Sequence, residues 1–411
     1  MRTCLPVQSV RVLEERPRQG NEMDLSEDPK LAAVRTEMPV LANWNYLNTG
    51  TAGPMPRPVA TAVADAAAAH LGEPRTGRAY FDRVEEVKAA CRRGIASMIH
   101  CEPEEVSLTH NTTEGMNLVT LGVNWVPGDE AVTTNVEHPG GLLPLWVASE
   151  RFGVTVKTAD LRSGADPLDA VLGQLSARTK LISLSHVSYA TGDVLPVAEI
   201  AAEARARSVL VLVDGAQAFG AIPLDMSAMG VDFYALSGQK WLCGPEGTGA
   251  LYSRRGSLSQ IRVTFAGYGS MVACNDYGGW LVRPDSRRFE QGTMHLPDIS
   301  GQLAALEWFT GLVGEDWAYA RIQNLADRAM GVLGDVPGVE VITSERHAGL
   351  VSLRLASVDP EAVVERLWRR GVIVRSIESP MALRFSLGFF NTPEEIDSAA
   401  LALGEELGAL G

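Results

Sequence analysis

Residues 208–217 read Ser-Val-Leu-Val-Leu-Val-Asp-Gly-Ala-Gln, and residues 232–241 read Asp-Phe-Tyr-Ala-Leu-Ser-Gly-Gln-Lys-Trp. Each is a short apolar run that stops at a polar, glycine-containing turn. A run that is apolar at every position, not at alternate ones, predicts a strand buried on both faces, and such strands belong to parallel sheets covered by helices. Runs of the same kind stand at 130–136, 153–158, 180–185 and 248–252. Helical patterns lie among them. One covers 58–71. Another covers 82–99 and puts Val84, Val87, Cys91, Ile95 and Met98 on one face. A third runs from Thr113 to Leu121 with Glu114 in its first turn, where the helix dipole favours an acid. Strands alternating with helices predict an α/β layer architecture with a mostly parallel sheet of about seven strands.

A helix at 298–313 leads out of this layer. After it the pattern becomes a helix near 317–334, strands near 338–343 and 350–355, a helix at 359–370, strands at 372–376 and 382–387, and a closing helix at 393–409. That order predicts a smaller α+β unit. The expected organisation is an N-terminal extension over 1–28, a large domain over 29–300 whose first residues pack on the small one, and a small C-terminal domain over 301–411. Residues 1–28 are polar and punctuated by Pro and Gly. They read as a flexible extension, or as untranslated leader if the start is Met23.

The 411 residues carry 36 basic and 50 acidic side chains, a net charge of −14. An acidic chain is a poor partner for nucleic acid or for an anionic membrane surface and suits a small-molecule substrate. No apolar run approaches the ~18 residues of a membrane span. The five cysteines, Cys4, Cys91, Cys101, Cys243 and Cys274, are scattered without CxxC spacing. That argues against a disulfide framework and a structural zinc site, and for reduced thiols in a cytoplasm. No metal site is expected.

The candidate chemistry sits at strand ends. Asp214 follows the first quoted run, and Lys240 comes 26 residues later, after the second. The C-terminal ends of buried parallel strands face the crevice where such sheets bind ligands. A single lysine in a loop is ordinarily a solvated charge, and a single aspartate after a strand a helix cap; their order and shared position set them apart. His138 follows the run 130–136 in the same way. Thr112 and Thr113 stand where a helix begins, and free backbone amides there bind phosphate. These groups match the needs of pyridoxal 5′-phosphate (PLP): a lysine for an imine, an acid (Asp214) for the pyridine nitrogen, a flat ring (His138) to stack, a donor (Gln217) for the ring hydroxyl, and a phosphate cradle.

The ordered set Asn-Thr-Thr-Glu-Gly-Met-Asn (111–117), Glu-His-Pro (137–139), His-Val-Ser-Tyr (186–189), Asp-Gly-Ala-Gln (214–217), Ser-Gly-Gln-Lys-Trp-Leu (237–242) and Phe-Glu-Gln-Gly-Thr (289–293) resembles the class V aminotransferase family of fold-type I PLP enzymes. The resemblance covers roughly residues 44–392. It implies that Lys240 carries the cofactor as a Schiff base and then acts as acid and base at the substrate α-carbon. It implies further that Asp214 pairs with the pyridine nitrogen, that His138 stacks on the ring, and that Thr112, Thr113 and Ser237 hold the phosphate. Gln217 and Tyr189 fall to the ring oxygen, and Gln239 lies beside the imine. Arg384 is implied to clamp the substrate carboxylate, with Asn48 also on the substrate side. Thr293 is implied to reach the phosphate of a neighbouring subunit, which makes a homodimer.

Within the family, a cysteine desulfurase needs a nucleophilic cysteine shortly before the carboxylate arginine, and residues 355–383 contain none. Gln239 stands where desulfurases carry His. Desulfurase activity is therefore not expected. With Leu-Asn-Thr-Gly (47–50), the chain is most similar to the isopenicillin N epimerase-like branch, which holds epimerases and C–S lyases of natural-product pathways. The leading expectation is a C–S β-lyase acting on a cysteine S-conjugate. An epimerase would need a second proton donor, from among Tyr80, Tyr189 and Tyr268; a class V aminotransferase is a third reading. A non-catalytic scaffold is the reading of another class, and the retention of both Lys240 and Asp214 argues against it. Arg75, Arg78, Tyr80 and Arg375 are candidates for the side-chain pocket.

Overall fold

The structure is a computed structural model that describes residues 28–356 and 358–410. The expected extension, bar Asp28, and the alternative start at Met23 lie outside the described residues. The chain opens with α1 (Pro29–Thr36), β1 (Asn45–Tyr46), α2 (Arg57–Gly72) and α3 (Arg78–Met98). The main layer follows: β2 (Val106–Thr109), α4 (Thr112–Gly122), β3 (Glu130–Thr134), α5 (Pro139–Phe152), β4 (Thr155–Ala159), α6 (Pro167–Leu172), β5 (Thr179–Ser185), α7 (Val197–Ala206), β6 (Leu210–Asp214), α8 (Met226–Met229), β7 (Phe233–Ser237) and β8 (Gly249–Ser253). A hairpin of β9 (Met271–Cys274) and β10 (Trp280–Val282) precedes α9 (Leu296–Trp308). The remainder is α10 (Glu315–Gly334), β11 (Val339–Val341), β12 (Leu350–Leu355), α11 (Pro360–Arg369), β13 (Val372–Ile373), β14 (Arg375–Ile377), β15 (Ala382–Ser386) and α12 (Pro393–Leu410).

Seven strands form the main sheet in the order β2-β8-β7-β6-β5-β3-β4. Only β8 runs against the others. The sheet's two faces fill two separate cores, as the continuous apolar runs require. Along β6, Val211 and Val213 enter one core while Leu210 and Leu212 enter the other. On one face α9 packs against α2 and α3; on the other, α4 packs against β6, β7 and β8.

Several boundaries differ from expectation for local reasons. The run at 153–158 predicts a strand buried on both faces. Gly153, in left-handed backbone (φ +70°), instead caps α5, so the strand starts at Thr155. As the sheet's edge, paired only with β3, it leaves Thr155 and Thr158 exposed. The run 130–136 stops at Thr134 because Asn135–His138 turn towards α5. The seventh strand, β2, has only four residues and is too short to stand out as a run. The expected strand 372–376 is two strands with different partners. β13 pairs with β1, and β14 with β15.

The smaller sheet, β11-β12-β15-β14, is antiparallel and shares a core with α10, α11 and α12. The N-terminal segment docks on it: β1 pairs with β13, Asn48 bridges to Ser386, and Leu47 joins the core of the smaller sheet. Asp28 caps α1, accepting from the Leu31 amide at 2.9 Å. A buried ion pair, Arg35 to Glu395 at 2.9 Å, ties α1 to α12. Among the described residues no helix is long and apolar enough to cross a membrane.

Candidate active site

The C-terminal ends of β3, β5, β6 and β7 and the start of α4 converge on a cavity of about 200 Å3. Its walls include Thr112, Thr113, His138, Tyr189, Asp214, Gln217, Ser237, Gln239, Lys240 and Arg384. These residues are far apart in sequence. They meet because the parallel strands end on one edge of the sheet.

Lys240 follows β7 and is enclosed by the cavity. Burial pushes its ammonium down to about 8; Asp214 opposes that shift, while Arg384 and Arg375 add to it. A lysine poised there is partly neutral near physiological pH, as a nucleophilic amine must be. Asp214 ends β6 and is buried. Burial raises its carboxyl above the usual carboxylate range, against the pull of the Lys240 charge and of the Ala216 amide, which donates to Oδ1 at 2.9 Å.

His138 caps α5. Its Nδ1 accepts from the Gly140 amide at 3.0 Å, so the ring proton sits on Nε2. Burial first, then Lys240, Arg375 and Arg384, lower it to about 4, so the ring is a neutral flat surface. Tyr189 meets it edge-on, with ring centroids 4.9 Å apart. Arg384 lies wholly buried on β15. Its Nη1 donates to the Tyr189 carbonyl at 2.8 Å, and its Nε has no partner. Burial pushes this guanidinium down to about 9, still charged at neutral pH.

The class V aminotransferase family model matches residues 45–399. The chain belongs to the class V aminotransferase family. An isopenicillin N epimerase from Streptomyces clavuligerus is 34% identical over 87% of this chain and 93% of its own length. A probable cysteine desulfurase from Methanothermobacter thermautotrophicus is 27% identical over 92% of this chain and 98% of its own. The fold superimposes with a TM-score of 0.86, at 30% identity, on a cystine C–S lyase solved with its product cysteine persulfide, and equally on a mutant of that protein with glycine covalently linked to PLP. Each superposition covers 90% of this chain and 99% of the other. The chain is a fold-type I PLP protein. The expectation that the chain lacks desulfurase activity finds no support in this likeness, since cysteine desulfurases match along most of the chain.

The residues fit the cofactor. Thr112 stands where an ordinary cap is expected, but Asn111 caps α4, accepting from the Glu114 amide at 2.9 Å. The Thr112 hydroxyl is thereby left buried without a partner, and so is that of Ser237. Two orphaned hydroxyls in one cavity, one of them at a helix N-terminus, suit a phosphate. The Gln239 Oε1 is also orphaned. Gln217 is more occupied than expected. Its Nε2 donates to the Gly50 carbonyl at 2.8 Å and its Oε1 accepts from Trp241 at 3.0 Å, which leaves one N–H for a ring oxygen.

Some expected residues lie elsewhere. Asn48 stands behind the wall, accepting from the Thr51 hydroxyl at 2.8 Å, and Thr51 itself lines the cavity. Thr293 is exposed outside this cavity, bonded to the Tyr268 hydroxyl at 2.5 Å. Tyr80, Arg75 and Arg78 do not line it; Arg78 faces Asp82 at 3.5 Å on the surface. Arg375 does line it. Sequence reading missed Glu137, a buried acid that accepts from Thr134 at 2.6 Å and Ser185 at 2.5 Å. Its only signal was its place beside His138.

Proposed function

We propose that the chain is a C–S lyase that cleaves a cysteine S-conjugate by β-elimination, giving a thiol, pyruvate and ammonia. The observation that carries this reading is a cavity with one amine base, two guanidinium groups and, among the described residues, no thiol. Cys243, three residues past Lys240, is fully buried against Gly53, and burial pushes its thiol well up. Bond cleavage by elimination needs no protein thiol. Likeness to a cystine C–S lyase adds support.

When bound, PLP withdraws electrons from the α-carbon of an amino acid. Arg384 holds the substrate carboxylate, using the Nε left without a partner. Lys240 takes the α-proton on Nζ. The Cβ–S bond then breaks, the sulfur leaves as thiolate and gains a proton, and water releases ammonia and pyruvate. Asp214 would pair with the pyridine nitrogen, His138 would face the ring, and Thr112, Thr113 and Ser237 would hold the phosphate. The reading includes a cytoplasmic homodimer in a natural-product pathway, with Thr293 serving the second subunit. Tyr268, bonded to Thr293, and the exposed Tyr277, Trp280 and Leu281 of the β9–β10 hairpin give a partner apolar surface.

The test is to incubate holoenzyme with L-cystine and S-alkyl-L-cysteines and to identify products. Thiol with stoichiometric pyruvate supports elimination. Alanine with persulfide would make it a desulfurase, a D-amino acid an epimerase, and conversion to the pyridoxamine form an aminotransferase; each overturns the proposal.

A further inference from the structure

We infer, resting on the elimination reading above, that a second cavity between the main layer and the small domain receives the S-substituent of the substrate, and that it selects an apolar spacer ending in a carboxylate.

The Lys240 cavity is about 200 Å3, below the ~300–1,000 Å3 of typical ligand sites, so cofactor and amino-acid head fill it. The second cavity is about 620 Å3. The two adjoin along the same turns. Val136 lines the second and His138 the first; Thr191 lines the second and Tyr189 the first. Pro380, on the turn joining β14 to β15, closes the second cavity from the small-domain side. Arg162 Nη1 spans the gap to the Ser379 hydroxyl at 3.0 Å.

Leu161, Leu168, Leu195 and Ile342 give this cavity an apolar floor. Three arginines stand at its rim. Arg354 is neutralised by Glu340 at 2.5 Å. Arg162 and Arg346 make no ion pair among the described residues. The acids nearby have other duties. Asp193 accepts from the Ser344 amide at 2.7 Å and the Thr191 hydroxyl at 2.6 Å. Asp166 caps α6, and Glu199 lies in the first turn of α7, where the helix dipole holds it. Two guanidinium groups without an ion pair among the described residues, one of them bonded only to the Ser379 hydroxyl, recognise over an apolar floor a carboxylate carried on a hydrocarbon chain.

The test compares S-carboxypropyl-L-cysteine with S-butyl-L-cysteine, of similar length, on the holoenzyme. Binding is read from the spectral change of the bound cofactor, and pyruvate is measured separately. Arg162→Ala and Arg346→Ala should each weaken binding of the carboxypropyl compound roughly fivefold, the upper end for an exposed charge pair, and leave the butyl compound unchanged. Arg354→Ala should change neither. All three side chains are exposed, so folding is not at risk. Equal effects on both compounds, no effect, or the same loss from Arg354→Ala would overturn the inference. Selective binding without pyruvate would sink the lyase reading and keep the cavity assignment; pyruvate without selectivity would do the reverse.

Discussion

Arg375 and Arg384 lie directly opposite each other across the β14–β15 pairing, and both guanidinium groups approach the Thr51 hydroxyl, at 3.2 and 3.4 Å. Two like charges converge on one neutral oxygen, and Arg375 disfavours the charge on Arg384. A substrate carboxylate would relieve that repulsion. Arg384→Ala should lower kcat/KM about 100-fold, mainly through KM, from loss of a charge-assisted bidentate contact worth ~2–3 kcal/mol. Arg384→Lys should recover only part, because an ammonium lacks the planar fork. Steady-state kinetics check this; an unchanged KM for Arg384→Ala would remove the clamp role.

The same charges act on Lys240, whose ammonium burial and the two arginines hold down at about 8. Covalent capture of PLP by the apoprotein needs the neutral amine, so its rate should rise with pH through a midpoint near that value. Arg375→Ala removes a neighbouring positive charge and should move the midpoint upward. Stopped-flow absorbance across the pH range measures it, and a downward shift would contradict the electrostatic account. Lys240→Ala should abolish both capture and turnover.

Thr112 and Ser237 carry buried hydroxyls without partners. If phosphate is their partner, Thr112→Ala and Ser237→Ala should each weaken PLP affinity by roughly tenfold, about one hydrogen bond to a charged group. The apoprotein should lose no stability, since no existing bond is removed. Equilibrium dialysis and thermal melts of the apoprotein separate these effects; an unchanged affinity would remove the cradle assignment.

The main sheet was legible because burial on both faces writes itself as an unbroken apolar run, as in Leu210–Val213. The edge strand β4 departs from expectation because edge exposure depends on which strands neighbour it, which the run itself does not encode. Asp214 and Lys240 were legible because strand ends fix their position. Arg375 was harder to place. It comes to the cavity through its pairing with Arg384, a long-range register that no local pattern reports. The motif around Asn48 points to the substrate, yet Thr51, three residues on, is the one that lines the cavity.

Glu137 ties this site to the pH dependence of stability. It is buried at the turn after β3, and burial raises its carboxyl to about 7 despite the hydroxyls of Ser185 and Thr134. The folded state therefore holds a proton that the unfolded state releases near its ordinary value of 4.5. Between those values the folded chain binds more protons, so its stability falls as pH rises, by up to about 3 kcal/mol, and falls no further above pH 7. Glu137→Gln keeps one acceptor oxygen for one hydroxyl, offers the other a donor, and cannot titrate. The difference in unfolding free energy, wild type minus Glu137→Gln, should therefore decrease from pH 5 to pH 8. Denaturant melts of the two holoproteins at a series of pH values give that difference directly. A flat difference would mean that Glu137 remains ionised in the folded protein throughout.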